Sequence, residues 1–272
     1  MKRDQLIEIF KDTMNQCETE ISLILEAKKS VENQILYYDE DEVFIPFTAP
    51  KQFSEEALVV VSKKRSFEAA SFYKKGRVNM AVLNFASSTN PGGGVINGSS
   101  AQEECLCRTS TLYKSLSSKE AVGLFYEPHR AELDGFYNDD IIYTPQVAVF
   151  KTDEELPKNL PLKDRFFVNV ITCAAPNLSR IINSSLPCSE EHLREVFKKR
   201  MKRILDVALA NANDTLILGA FGCGAFGNDA RLVAECWKEV LKDYLHAFKI
   251  IEFAVFCKGD DKNYMDFRKV FG

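Results

Sequence analysis

The chain is expected to fold as an α/β protein: a three-layer α/β/α sandwich around a mixed sheet, with a helical N-terminal extension. Three observations predict this. Apolar, β-rich runs alternate along the sequence with segments of helical periodicity, and strands separated by helices need crossovers that lay helices over both sheet faces. The run 165–173, RFFVNVITC, is almost wholly apolar, as a strand covered on both sides must be. The segment 189–211 carries a single stripe of Leu193, Val196, Phe197, Met201, Ile204, Leu205 and Ala208, which a helix turns toward one core.

The elements follow in order. Leu6, Ile9, Phe10 and Met14 recur at helical spacing, and Ile21, Leu23, Ile24 and Leu25 continue the pattern, so 1–50 is read as the extension and 51–272 as the main domain. A short strand is expected at 58–61 and a helix at 66–75 that ends on Gly76. Strand 78–85, VNMAVLNF, empties into a glycine-rich loop. A helix is expected at 101–116, a mixed loop region at 120–145, and a strand at 146–150. After the 165–173 strand and the 189–211 helix come strand 214–220, helix 229–246, strand 249–256 and a short closing helix. Lys198, Lys199, Arg200, Lys202 and Arg203 are read as a solvated helix face.

Composition narrows the function classes. The 272 residues are 46% hydrophobic and 27% charged, as in an ordinary globular protein. With a net charge of -4 and a pI near 5.6, no duplex nucleic acid partner is expected, and an anionic ligand must be held by local geometry. No segment offers the roughly 20 apolar residues of a membrane helix. Eight scattered cysteines without a C-x-x-C pair point to a reducing cytosol and a cytoplasmic protein. His129, His192 and His246 are too dispersed for a zinc set, and no metal or cofactor is expected.

Two glycine-rich loops follow strands, where sheets of this kind bind ligands. The second, Gly219 to Gly227, contains a literal G-x-G-x-x-G, yet it lies on the penultimate strand rather than the first, which argues against a dinucleotide fingerprint. Its glycines let backbone amides converge on phosphate oxygens, and the helix starting near Asn228 and Asp229 is expected to add its positive end. The first loop runs NFASSTNPGGG from Asn84 to Gly94. Seven residues later Gln102, Glu103 and Glu104 open a helix. Ser100 and Glu103 also have the spacing of a capping box, so Glu103 has a structural reading beside the functional one.

Taken together, the GGG triplet, the spacer and QEECLCR, with GAFGCGAFGN at 219–228 and VITCAAPN at 170–177, resemble the microbial-type poly(ADP-ribose) glycohydrolases. The resemblance implies a macrodomain-like fold and hydrolysis of ribose–ribose glycosidic bonds, with poly(ADP-ribose) or ADP-ribosylated proteins as substrate and ADP-ribose as product. It assigns Glu104 the role of catalytic acid/base and Glu103 that of orienting the substrate through ribose hydroxyls. Gly92, Gly93 and Gly94 would lie against the diphosphate and distal ribose. Gly222, Cys223, Gly224, Ala225 and Phe226 would wrap the diphosphate, with Phe226 against the terminal ribose. Asn84, Asn90 and Gln102 complete the binding set, and Thr172, Pro176 and Asn177 are placed near the adenine. Cys105, Cys107 and Cys223 are given packing roles.

The chemistry suits these residues: a proton is needed for the leaving oxygen and an activated water thereafter, both within the reach of one carboxyl. Adjacent Glu103 would point elsewhere on the helix, which leaves the substrate's own diphosphate to stabilise the cationic centre. Two other readings stay open at this point. One is a hydrolase of mono-ADP-ribose linkages on protein or nucleic acid. The other is a non-catalytic reader of ADP-ribose, which would have no use for an acid at Glu104.

Overall fold

The computed structural model describes residues 2–40, 51–76, 79–132, 134–184 and 188–272. The expected boundary at residue 50 and the first residue of the 78–85 strand lie outside them. Among the described residues no helix is long and apolar enough to cross a membrane.

The chain opens with α1 (Lys2–Thr19) and α2 (Ile21–Glu32), then a short strand β1 (Ile35–Tyr37). Strand β2 (Leu58–Ser62) and α3 (Ser66–Tyr73) lead to β3 (Met80–Phe85). Beyond the first glycine loop lie α4 (Gln102–Thr109), α5 (Leu112–Leu116) and α6 (Lys119–Ala121), a π-helical turn at Val122–Tyr126, and α7 (Glu127–Ala131). Strands β4 (Ile141–Val149) and β5 (Phe166–Cys173) are followed by α8 (Leu178–Asn183) and the long α9 (Glu190–Ala210). Strand β6 (Thr215–Leu218), α10 (Ala230–Leu241), β7 (Ile250–Ala254) and α11 (Lys262–Phe271) complete the fold.

The seven strands form one mixed sheet in the order β1-β4-β5-β3-β6-β7-β2. The five strands from β5 to β2 are mutually parallel, while β4 and β1 add antiparallel pairings at one edge. The two-residue period of a strand then divides the core. Ala81, Leu83, Ile171, Cys173, Leu216 and Leu218 face one core with α9, α10 and α11. Met80, Val82, Val168, Val170 and Ile217 face the other, with Phe10 of α1, Phe67 of α3 and Leu106 of α4. This is the three-layer sandwich that the alternation predicts.

Several expectations need correction. The 101–116 helix is broken at Ser110, whose extended backbone pairs with Val149, while Thr111 N and Phe150 N bond to Ala148 O and Thr109 O. A nearby strand edge thus captures backbone groups that local periodicity assigned to a helix. The first part of the mixed region 120–145, up to Ala131, is short helices, and β4 begins at Ile141, five residues before the expected strand, because a bulge at Thr144–Val147 hides its alternation. Strand β1 and helix α8 carry no periodic signal in so few residues and were not expected. In α2 only Leu23 of the four apolar positions is buried; Ile21 is 75% exposed.

Arg200 is the exception to the solvated face of α9. It is 1% exposed, and its Nε donates to Asp139 at 2.6 Å. Its remaining N–H groups reach Ala174 O at 2.8 Å, Phe136 O at 3.0 Å and Tyr137 O at 3.2 Å. The basic run on α9 therefore hides one residue that ties the helix to the β5 exit.

Candidate active site

Strands β3, β6, β7 and β2 all end at one edge of the sheet, and a cavity of about 350 Å³ opens there. The first glycine loop turns through Gly92 (φ +66°) and Gly93 (φ +58°), backbone regions that favour glycine. Gly93 N donates to Asn90 O at 2.9 Å, which tightens the turn, and Gly94 N donates to Glu104 Oε1 at 2.9 Å. A Cβ on Gly93 would stand 2.5 Å from that same oxygen. The glycines are thus what allows the loop to close over the acid.

Each residue of the Gln-Glu-Glu triplet has a distinct environment. Gln102 is a brace: Oε1 accepts from Phe85 N at 2.9 Å, and Nε2 donates to Leu83 O at 2.7 Å and to Ser66 Oγ at 3.0 Å. Glu103, 3% exposed, accepts from Ser87 N at 2.7 Å and from Asn84 Nδ2 at 3.3 Å. Burial pushes its carboxyl up to about 8, against those N–H donors, and the neighbouring Glu104 charge acts in the same direction as burial. Glu104, 7% exposed, has Oε1 engaged by Gly94, while its Oε2 is buried without a partner.

The capping box is a correction. The N-cap of α4 is Ala101, which makes no side-chain cap, and Glu103 turns inward to Ser87 rather than back toward Ser100. A second correction concerns α10. Its first free amides, Arg231 N and Leu232 N, are taken by the carboxylate of its own N-cap Asp229, at 2.9 and 3.1 Å, so they are not offered to a phosphate.

The second glycine loop forms the opposite wall. Gly222 (φ +77°) sits so close to Ala175 and Asn228 that a Cβ would meet them at 2.6 and 2.7 Å. Asn228 holds the loop in place, donating to Gly222 O at 2.9 Å and to Pro176 O at 2.8 Å. Around Gly224 a Cβ would meet nothing within 4 Å, so its backbone faces open space.

Gly93, Gln102, Glu103, Glu104, Gly222, Gly224, Ala225 and Phe226 are brought together in the cavity wall. Asn84 lies just beneath it, bonded to Glu103 and to Thr172 Oγ1, with its own Oδ1 buried and unpartnered. Gly92, Gly94, Cys223 and Asn90 shape the loops without lining the cavity, and Asn90 is exposed on the outer turn. Thr172, Pro176 and Asn177 do not line it either; Asn177 caps α8 through Arg180 N. Burial raises the thiols of Cys105 to about 11 and of Cys223 to about 12, away from nucleophilic thiolates. Among the described residues no group of His, Cys, Asp or Glu could hold a metal ion.

The cavity also uses residues that the motifs did not flag. Arg65 follows β2 and Phe256 follows β7, and the guanidinium lies 3.9 Å from the ring centroid. Both stand at carboxyl ends of parallel strands, the signal that could have found them. Asp153 comes from the stretch after antiparallel β4, where sequence offers no such signal. Among the described lining residues Arg65 is the one Lys or Arg. Helix α1 supports the site from outside: Arg3 Nε donates to Asn97 O at 2.6 Å, and Thr13 Oγ1 to Arg108 O at 2.6 Å.

Residues 5–152 match the family described as microbial-type PARG, catalytic domain. Among solved structures, the chain is similar to a poly(ADP-ribose) glycohydrolase from Thermomonospora curvata, at 29% identity over 98% of this chain and 99% of that one, with a TM-score of 0.88. The Thermomonospora protein bound to the inhibitor ADP-HPD gives 30% identity over 97% and 98%, with a TM-score of 0.82. The Deinococcus radiodurans protein in complex with ADP-ribose gives 32% identity over 90% and 96%, with a TM-score of 0.79. None of the curated proteins matches the chain.

Proposed function

The chain belongs to the microbial-type poly(ADP-ribose) glycohydrolase family, and on that premise we propose that it hydrolyses the ribose–ribose O-glycosidic bonds of poly(ADP-ribose) and releases ADP-ribose. The observation that carries the catalytic assignment is the division of labour within one carboxyl group. Glu104 Oε1 is fixed by Gly94 N, and Oε2 is left without a protein partner in the wall of the cleft.

That oxygen is the one to protonate the leaving ribose oxygen and then to take a proton from the attacking water. Glu103 does not act as a second nucleophile. Its carboxyl is turned to Ser87 and Asn84, where it orders the floor of the site and orients the ribose. Positive charge developing at the anomeric carbon is answered by the substrate's own diphosphate, which lies between the 92–94 and 222–226 loops and is held by backbone amides of the second, since Gly93 N and Gly94 N are taken by Asn90 and Glu104. A cleft with a single Lys or Arg among its described residues suits this arrangement, since the anion is bound by converging N–H dipoles rather than by a basic surface. With the scissile ribose at Glu104 and the diphosphate between the loops, the adenosine end falls to the remaining wall, Arg65 and Phe256. The ADP-ribose and ADP-HPD held by the relatives support a ligand of this class.

The test is direct. Purified protein is incubated with poly(ADP-ribose) and, separately, with mono-ADP-ribosylated protein, and free ADP-ribose is measured by chromatography. Release from the polymer is the expected result. Release only from the mono-modified protein would replace the polymer as substrate, and ADP-ribose binding without any release would make the protein a reader.

A further inference from the structure

A second cavity of about 450 Å³ adjoins the cleft, and the two share Arg65, Asp153 and Phe256. It lies beyond the adenosine end and plays no part in the chemistry at Glu104. Its other walls include Ser71 on α3, Thr152 after β4 and Phe166 at the start of β5.

Asp153 is the informative residue. It is 9% exposed and belongs to both cavities. Its Oδ2 accepts from Phe67 N at 2.9 Å, but its Oδ1 is buried with no partner. A buried acceptor left unmet is costly, and a ligand donor at this junction would relieve that cost.

The charge of the cavity restricts what can enter. Carboxylates outnumber cations along its wall, and its Lys74 and Lys151 are already engaged by Asp164 and Asp12. A second diphosphate would find little to hold it. A polyhydroxylated ring would fit, because carboxylate oxygens accept from hydroxyls while phenyl faces take the C–H side of the ring. The half-exposed Phe256 at the junction and Phe166 inside offer such faces.

We propose that the second cavity is a subsite for the ribosyl ring of a neighbouring repeat, one joined to the ADP-ribose unit in the cleft, with Asp153 Oδ1 accepting from a ribose hydroxyl. The inference rests on the reading of the cleft given above. Its consequence is that a chain of several repeats gains contacts that free ADP-ribose lacks, because the second ring is delivered at high effective concentration.

The experiment measures binding of ADP-ribose and of a size-fractionated three-repeat oligomer by calorimetry. The protein carries Glu104→Gln so that the oligomer survives, with and without Ser71→Trp. Ser71 is half-buried, and its hydroxyl is spent within its own helix on Glu68 O, so tryptophan there fills the cavity rather than the cleft. The oligomer should bind about tenfold or more tighter than ADP-ribose. Ser71→Trp should reduce that advantage to about twofold or less while the ADP-ribose affinity is unchanged. Thr152→Trp serves as the second blocking variant if Ser71→Trp does not retain ADP-ribose binding. Equal affinity for the two ligands before blocking, or an advantage that survives both tryptophans, overturns the subsite. A Glu104→Gln protein that binds neither ligand overturns the cleft reading itself, a result distinct from loss of the oligomer advantage alone.

Discussion

Gly94 N donates to Glu104 Oε1 at 2.9 Å, and that one bond closes the first glycine loop onto the helix that bears the acid. The other oxygen of the same carboxyl is buried and unpaired. The loop thereby fixes which oxygen is tied into the fold and which is left unpaired.

Glu104→Gln keeps the size of the side chain and an oxygen for Gly94 while removing the titratable carboxyl proton. We expect kcat on poly(ADP-ribose) to fall by roughly 10²–10⁴, the usual contribution of a positioned acid/base. ADP-ribose affinity should change by no more than a few-fold. Full activity in this variant would remove Glu104 from the mechanism; calorimetry beside a steady-state assay reads both quantities.

Gly93→Ala tests the close approach. Its φ of +58° disfavours any side chain, at a cost of order 1–3 kcal/mol. Its Cβ would also stand 2.5 Å from Glu104 Oε1. The expected outcome is a lower midpoint in urea together with lost turnover. Unaltered turnover would mean that the loop does not position the acid.

Glu103 should make stability depend on pH. Its folded pKa, pushed up to about 8 chiefly by burial, stands above the ordinary carboxyl value of 4.5. Between those values the native protein holds the proton more firmly than the unfolded chain. The contribution is therefore full below pH 4.5 and is lost as pH rises toward 8, with a slope of at most about 1.4 kcal/mol per pH unit. Asp153, raised by burial to about 6, acts in the same sense over a lower range. Urea titrations from pH 5 to 8 should be flatter for Glu103→Gln than for the parent; parallel curves would count against a raised pKa at this position.

Arg200→Ala should be among the most damaging changes outside the cleft. It removes the buried counter-ion of Asp139, 3% exposed, leaves that carboxylate to the exposed Lys199 at 2.8 Å, and releases three backbone carbonyls at 2.8–3.2 Å. Burial alone would raise the Asp139 carboxyl, but Arg200 and Lys199 hold it below its ordinary range, so a charged group loses its buried partner. Breaking such a pair from one side costs about 3–5 kcal/mol. Denaturant unfolding checks the value, and a loss below about 1 kcal/mol would contradict a buried pair of this kind.

What was legible in advance was whatever the chain writes locally. Apolar, β-rich runs located most of the parallel strands and the 3.6-residue period located the long α9, because each is written in consecutive residues. The glycine triplet and the Gln-Glu-Glu that follows it were legible for the same reason: a loop closing on the next helix needs only a short spacer. What escaped was non-local. Ser110 leaves the helix because Val149 competes for its backbone, and Arg200 leaves the solvated face because Asp139 meets it 61 positions away.

The sequence by itself determined the layered fold, the family and the pair of glycine loops. Only the tertiary structure decided what each of the two adjacent carboxyls is bonded to. Glu103 and Glu104 are adjacent and chemically identical, and their spacing fits a helix cap as well as a catalytic pair. They part because Ser87 and Asn84 turn one carboxyl into the floor, while Gly94 holds one oxygen of the other and leaves its partner free. Arg65, Asp153 and Phe256 join the site in the same way, from three strands' ends. A carboxyl's role follows from burial and hydrogen-bond partners, and those are properties of neighbours in space rather than along the chain.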